Sequence, residues 1–241
     1  MGAALGWGAL AASSLVIGVL LAFARRWPPA PIGLIEAFGA GALISAVSFE
    51  LAQDGVEIGS PGAVAIGLAV GALSYFLADR LVASRTGSKP GKGGRKQGGD
   101  SGTSLALGSF LDGIPEQAVL GVGLAGGAPV SVALLMAIFV SNLPEGIGSG
   151  VDMEAAGMAR SRIIKLFVAV GVVCTLSTVV GYAIADSISG EFQAGVNGFA
   201  AGALLVMLID SMIPEASQKG GRPAGLIAVL GFAVASALSA L

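Results

Sequence analysis

The sequence predicts an all-α integral membrane protein of eight transmembrane helices, built as a single transmembrane domain over residues 1–241. Three observations predict it. Hydrophobic residues make up 54% of the chain and charged residues 12%, against about a quarter charged in an average soluble protein. The apolar residues gather into stretches of about 20, the length that crosses a bilayer as a helix. The basic residues fall in every second connection between those stretches, as in a chain that keeps its positive loops on one side.

The stretches are 2–24, 32–53, 61–84, 104–126, 129–151, 163–185, 194–216 and 222–241. The first has no basic segment ahead of it and Arg25-Arg26 behind it, so it is read as a span and not as a signal peptide. Arg25 and Arg26 follow span 1. Arg80, Arg85, Lys89, Lys92, Arg95 and Lys96 lie at the end of span 3 and beyond it. Arg160, Arg162 and Lys165 follow span 5, and Lys219 and Arg222 follow span 7. These are all 13 Lys and Arg of the chain. The alternate loops carry Asp54, Glu57, Asp186 and Glu191 instead. The basic loops are therefore cytoplasmic, both termini lie outside, and the expected location is the plasma (inner) membrane. Residues 85–103 are rich in Gly, Lys, Ser and Gln and offer nothing to pack, so they read as a disordered basic cytoplasmic loop.

An internal echo relates span 2 to span 7. Ala40-Gly41-Ala42-Leu43 recurs as Ala201-Gly202-Ala203-Leu204. Glu50 and Ser211 lie seven residues past the two leucines, and Asp54 and Glu215 eleven past them. The two spans run in opposite directions, as an inverted repeat of spans 1–3 and 6–8 around spans 4–5 requires. Of the 39 glycines, Gly39, Gly41, Gly67, Gly71, Gly121 and Gly123 read as positions where helices approach closely, and Gly146, Gly148 and Gly150 as places where span 5 bends.

Chemistry concentrates in two motifs inside the apolar spans. They are Leu111-Asp112-Gly113-Ile114-Pro115-Glu116-Gln117 on span 4 and Ser141-Asn142-Leu143-Pro144-Glu145-Gly146 on span 5. Each puts an oxygen donor three residues before proline and a carboxylate one after it. Residues four apart share a helix face, which aligns Asp112 with Glu116 and Ser141 with Glu145, and Asn142 falls nearly on the second face. Proline frees a backbone carbonyl one turn earlier. At 1.5 Å per residue, Asp112 lies about 12 Å into its span. The short connection Gly126-Gly127-Ala128-Pro129 makes the two spans neighbours, so both motifs reach similar depth. Carboxylates at that depth with no Lys or Arg beside them need protons or a bound cation.

Span 7 holds a third version, Asp210-Ser211-Met212-Ile213-Pro214-Glu215, nearer the cytoplasmic end. Glu215 reads as part of an inner exit, or as a solvated helix end paired with Lys219 four residues on. Glu50 reads as part of an outer vestibule. Glu36 and Asp79 read as ordinary interface charges. Cys174 reads as core packing before it reads as a ligand, with Thr175, Ser177 and Thr178 beside it as candidates for bonds between helices.

The chain has no histidine and one cysteine. That excludes imidazole ligands, His-based catalytic machinery, disulfides within the chain and Cys-based zinc sites. Asp112 and Asp210 lack the Gly-x-Gly-Asp setting of an intramembrane aspartyl protease, and no enzyme is expected.

Eight spans, a long loop after span 3 and Pro-Glu motifs on spans 4 and 5 resemble the Zrt/Irt-like (ZIP) metal transporters over nearly the whole chain. In that family span 4 typically reads His-Asn-x-Pro-Glu-Gly, and span 5 carries a similar Pro-Glu-Gly motif. Asp112 stands at the histidine place, Glu116 and Glu145 keep the glutamates, Asn142 matches a polar ligand position, and Gly113 has lost a ligand. Many relatives carry a Glu-Pro on span 6, where Thr178-Val179 has neither. The resemblance implies a divergent, histidine-free member that keeps one position of a two-metal site and weakens the other.

The expected function is transport of a divalent metal cation, zinc, iron or manganese, through a mid-membrane site between spans 2, 4, 5 and 7. Its metal ligands would be Asp112, Glu116, Asn142 and Glu145, with Ser141 and Gln117 as secondary oxygens and Glu50, Ser211 and Glu215 along the approaches. An all-oxygen set keeps Mg²⁺ open as an alternative cargo, and a non-transporting sensor or scaffold is the other alternative. The expected partners are the metal ion, the lipid bilayer and a second copy of the chain in a homodimer. No nucleic acid is expected.

Overall fold

The computed structural model describes residues 1–86, 113–125, 130–185 and 189–239. In chain order the helices are α1 (Gly2–Ala24), α2 (Pro29–Ala46), α3 (Asp54–Ile58), α4 (Pro61–Thr86), α5 (113–123), α6 (Val132–Ala155), α7 (Arg160–Ala185), α8 (Gly190–Met207), α9 (Ile213–Gly220) and α10 (Ala224–Ser239). A π-helical segment, Val47–Gln53, joins α2 to α3, and another, Leu208–Met212, joins α8 to α9. Among the described residues there is no strand.

Six of these elements are long and apolar enough to cross a membrane: Gly2–Ala24, Pro29–Ile58, Pro61–Ser84, Val132–Ala155, Arg160–Ala185 and Gly190–Gly220. They coincide with expected spans 1, 2, 3, 5, 6 and 7, and the chain is a multi-pass, all-α membrane protein. The helix at the expected eighth span has 16 residues. Only 113–125 of expected span 4 is described, and Asp112 lies outside the described residues. So does the loop expected at 85–103, except its first two residues, which end α4.

The sequence sets the helix ends locally. Pro29, preceded by extended Pro28, opens α2, where proline's missing N–H costs nothing. Ser131 caps α6 by accepting from the Leu134 amide at 3.1 Å, and Ser189 caps α8 in the same way. Beyond α6, Gly157 adopts φ 85°. Its N–H reaches Glu154 O and that of Met158 reaches Met153 O. This paired closure needs a left-handed residue. Arg160 then bonds Glu154 at 2.7 Å and lies over the Phe23 ring, tying the ends of α1, α6 and α7 together.

Helices meet backbone to backbone at glycines. A Cβ at Gly18 would collide with Leu143 O, and one at Gly146 with Leu15 O. The same reciprocal contact recurs three times. Gly121 meets Thr178 O while Gly181 meets Ala118 O. Gly41 meets Ala228 O while Gly231 meets Phe38 O. Gly202 meets Leu68 O while Gly71 meets Phe199 O. In every case the carbonyl comes from the residue three before the partner glycine. Four helix pairs result: α1 with α6, α5 with α7, α2 with α10, and α4 with α8. Contacts advance in the same direction along both members, as in Gly18 with Gly146 and Ala22 with Gly150, so the partners run parallel. Gly67 also meets Gly195 O, whereas Gly123 is exposed with nothing near it among the described residues. Gly146 and Gly150 face α1 as contact positions.

The two echoing stretches make matching crossings. Phe38 and Gly41 of α2 correspond in spacing to Phe199 and Gly202 of α8, and each pair contacts a glycine helix through the same atoms. Both π segments begin four residues after the echoed leucine, at Val47 after Leu43 and at Leu208 after Leu204. Leu43, Leu51, Leu120, Ile138, Leu204 and Leu208 are all buried in one apolar cluster, which gathers α2, α5, α6 and α8. The α2 and α6 pair meets at Gly39, whose Cβ position is 2.8 Å from Ser141 Cα.

Candidate metal site

The α5 and α6 motifs come together inside this core. Glu116 and Gln117 lie on α5, one turn past its first described residue, and both are buried. Ser141 and Asn142 are buried on α6 one turn ahead of Pro144, which sits inside that helix. Pro144 has no N–H to offer the carbonyl of Val140. Ser141 Oγ lies 3.0 Å from Ile138 O and 3.4 Å from Glu116 Oε1. A hydroxyl has one proton, and these two acceptors compete for it. Two oxygens from different helices so face each other at 3.4 Å in the buried core.

The neighbouring amides are only partly satisfied. Thr178 Oγ1 on α7 donates to Gln117 Oε1 at 2.6 Å. Among the described residues Gln117 Nε2 and Asn142 Nδ2 are buried without a hydrogen-bond partner, which is costly in a packed interior. Glu145 is half-buried on α6, one turn beyond Ser141.

Two sulfur-bearing side chains pack against the helices of the motifs. Cys174 on α7 is fully buried, and its Sγ is 2.6 Å from where Gly113 would carry a Cβ. Met212 Cε lies 3.1 Å from the Cβ position of Gly39, beside Ser141. Among the described residues, no three of the His, Cys, Asp and Glu side chains stand close enough together to hold a metal ion. A complete ion cage from these helices therefore has to draw on hydroxyl, amide or backbone oxygens, or on Asp112.

The other expected site residues stand apart along the helices. Glu50 is half-buried in the first π segment and Ser211 half-buried in the second. Glu215 lies on α9, where Lys219 Nζ bonds its Oε1 and, at 2.9 Å, Glu36 Oε1. Glu36 is 4% exposed, so the expectation of an ordinary interface charge is corrected. Its partner is 183 residues away and folds onto it. Thr178 and Met212 were also not read as neighbours of the motifs. A hydroxyl on span 6 gave a hint of the first, whereas nothing in the spacing pointed to the second.

No family model matches the chain. Over 235 residues, 95% of its length, the chain is 27% identical to a protein of Arabidopsis thaliana named "Putative zinc transporter", and it spans 37% of that relative's length.

Proposed function

We propose that this chain is a ZIP-like, histidine-free carrier that moves a divalent metal cation across the membrane, with Glu116, Ser141, Asn142 and Glu145 as ligands and Asp112 as the further carboxylate. The observation that carries the reading is the contact of Ser141 Oγ with Glu116 Oε1, between two helices, in the buried core of a membrane protein. Among the described residues the Asn142 Nδ2 and Gln117 Nε2 donors beside it are unpartnered, which marks a polar centre. Gln117 would act through its carboxamide oxygen once Thr178 releases it. Glu50, Ser211 and Glu215 would line the approaches. The likeness to the Arabidopsis protein supports a metal ion as cargo.

Cys174 Sγ beside α5 supports zinc or iron over Mg²⁺, because sulfur suits borderline and softer ions, whereas manganese rests on the oxygen ligands. Parallel pairing of α1 with α6, α2 with α10 and α4 with α8 is what eight spans demand, since each pair is separated by an even number of crossings. The matched Gly41 and Gly202 crossings support the inverted repeat. In this reading the molecule is a transporter and not an enzyme, with its basic loops cytoplasmic.

The test is uptake of Zn²⁺, Mn²⁺, Fe²⁺ and Mg²⁺ into proteoliposomes holding the purified chain. Saturable uptake of at least one transition metal, abolished in Glu145→Ala, is the expected result. No uptake of any ion, with binding retained, would make the protein a sensor. No binding at all would leave a scaffold.

A further inference from the structure

Glu36 and Lys219 bring together two helices that the candidate metal site does not use for ligands. The Lys219 ammonium donates to both Glu36 Oε1 and Glu215 Oε1. Gly33, one turn before Glu36, has no side chain, and a Cβ there would collide with Gly220 N and meet Lys219 Cβ at 2.5 Å. The α2 and α9 backbones are therefore in contact at this point. Among the described residues Glu36 Oε2 is buried with no hydrogen-bond partner. A buried carboxylate with one bonded oxygen and one idle oxygen is under-served by a single ammonium.

The group also has a position in a line. Three residues along α2 from Glu36, Gly39 touches Ser141, which touches Glu116. Glu36 thus lies about one helical turn along α2 from the residue that meets Ser141. The triad lies toward the end of α9 that leads into the basic loop with Arg222.

We propose that Glu36 and Glu215 form a second cation-binding site, in which the Lys219 ammonium is the resident counter-charge while no metal ion is there. Lysine suits that role. It is a single positive charge on a flexible four-carbon stem, and its 17% exposed side chain has a route to water. A divalent ion brings twice the charge to the same two carboxylates, uses the idle Glu36 oxygen, and displaces the ammonium outward. When the ion leaves, Lys219 returns and no buried carboxylate is left uncompensated. That this is the next station for a transported ion rests on the carrier reading above. Binding at the pair does not.

The test uses the purified full chain with Mn²⁺ as probe, bound and free ion being counted by electron paramagnetic resonance. In a Glu145→Ala background, Lys219→Met is expected to tighten Mn²⁺ binding at least about tenfold. Lys219→Arg is expected to leave it unchanged, and Glu36→Gln added to Lys219→Met is expected to remove the gain. Equal affinity in Glu145→Ala and Glu145→Ala/Lys219→Met overturns the proposal. A second readout needs no variant. Saturating Zn²⁺ is expected to raise acylation of Lys219 by a water-soluble amine reagent several-fold, with Lys165 unchanged, and an unchanged Lys219 overturns the proposal. A chain that moves no metal in vesicles yet gains binding on Lys219→Met would sink the carrier reading and keep this one.

Discussion

Thr178 Oγ1 and Gln117 Oε1 are joined by a 2.6 Å hydrogen bond between two buried side chains, 61 residues apart, on α7 and α5. The bond lies at the same crossing where Gly121 meets Thr178 O, so side chain and backbone fasten one pair of helices at one level. Thr178→Val keeps the shape and removes the donor. It should destabilise the chain by about 1–3 kcal/mol, the cost of leaving a buried acceptor unsatisfied, while Thr178→Ser should cost less. Thermal unfolding in detergent measures both, and a Val variant as stable as the parent would mean that Gln117 finds another donor.

Gly113 and Cys174 are coupled through space. A methyl at 113 meets Sγ at 2.6 Å, so Gly113→Ala should be destabilising by about 1–3 kcal/mol. Cys174→Ala removes the obstacle. The double variant should recover at least about 0.5 kcal/mol relative to the sum of the two single changes. Additive effects would show that the two positions do not touch.

Ser141 supplies one oxygen beside Glu116. If that oxygen helps hold the cargo, Ser141→Ala should raise the half-saturating metal concentration in vesicle uptake about tenfold, the loss of one polar partner. Glu116→Gln should reduce uptake at least about 100-fold, because it removes the charge as well. Unchanged half-saturation in a folded Ser141→Ala protein would take Ser141 out of the ion's path.

Gly41 and Gly202 stand at matched crossings, each against the carbonyl of a partner helix. Substitution by Ala at either should destabilise the chain by similar amounts, about 1–3 kcal/mol each. Gly123 is the control. It is exposed and helical with nothing within 4 Å, and Gly123→Ala should be neutral or stabilising by up to about 1 kcal/mol. Unequal costs at 41 and 202 would count against the repeat.

The membrane class was legible because it is written in composition and run length, which need no tertiary information. The proline motifs were legible for the same reason, and the structure does bring Glu116 and Ser141 into contact. Helix partners were not. Gly41 and Gly123 look alike in sequence, yet one is jammed against Ala228 and the other is open, because only the packed bundle decides which face meets a neighbour. Glu36 was misread because nothing near it in the chain announces a lysine 183 residues later. The two π segments were invisible too. A widened turn leaves no mark on apolar periodicity when the residues around it are apolar on every side.

The glycine contacts have a mechanical meaning. Where two main chains interlock without side chains between them, neither helix can shear along its mate without prising the pair apart. The four couples described here behave as rigid beams. Sliding between whole couples is easier than sliding within one, and α2 against α6 is one such seam. Among the described glycines Gly39 is the one that touches Ser141 there, directly beside the Glu116 carboxylate.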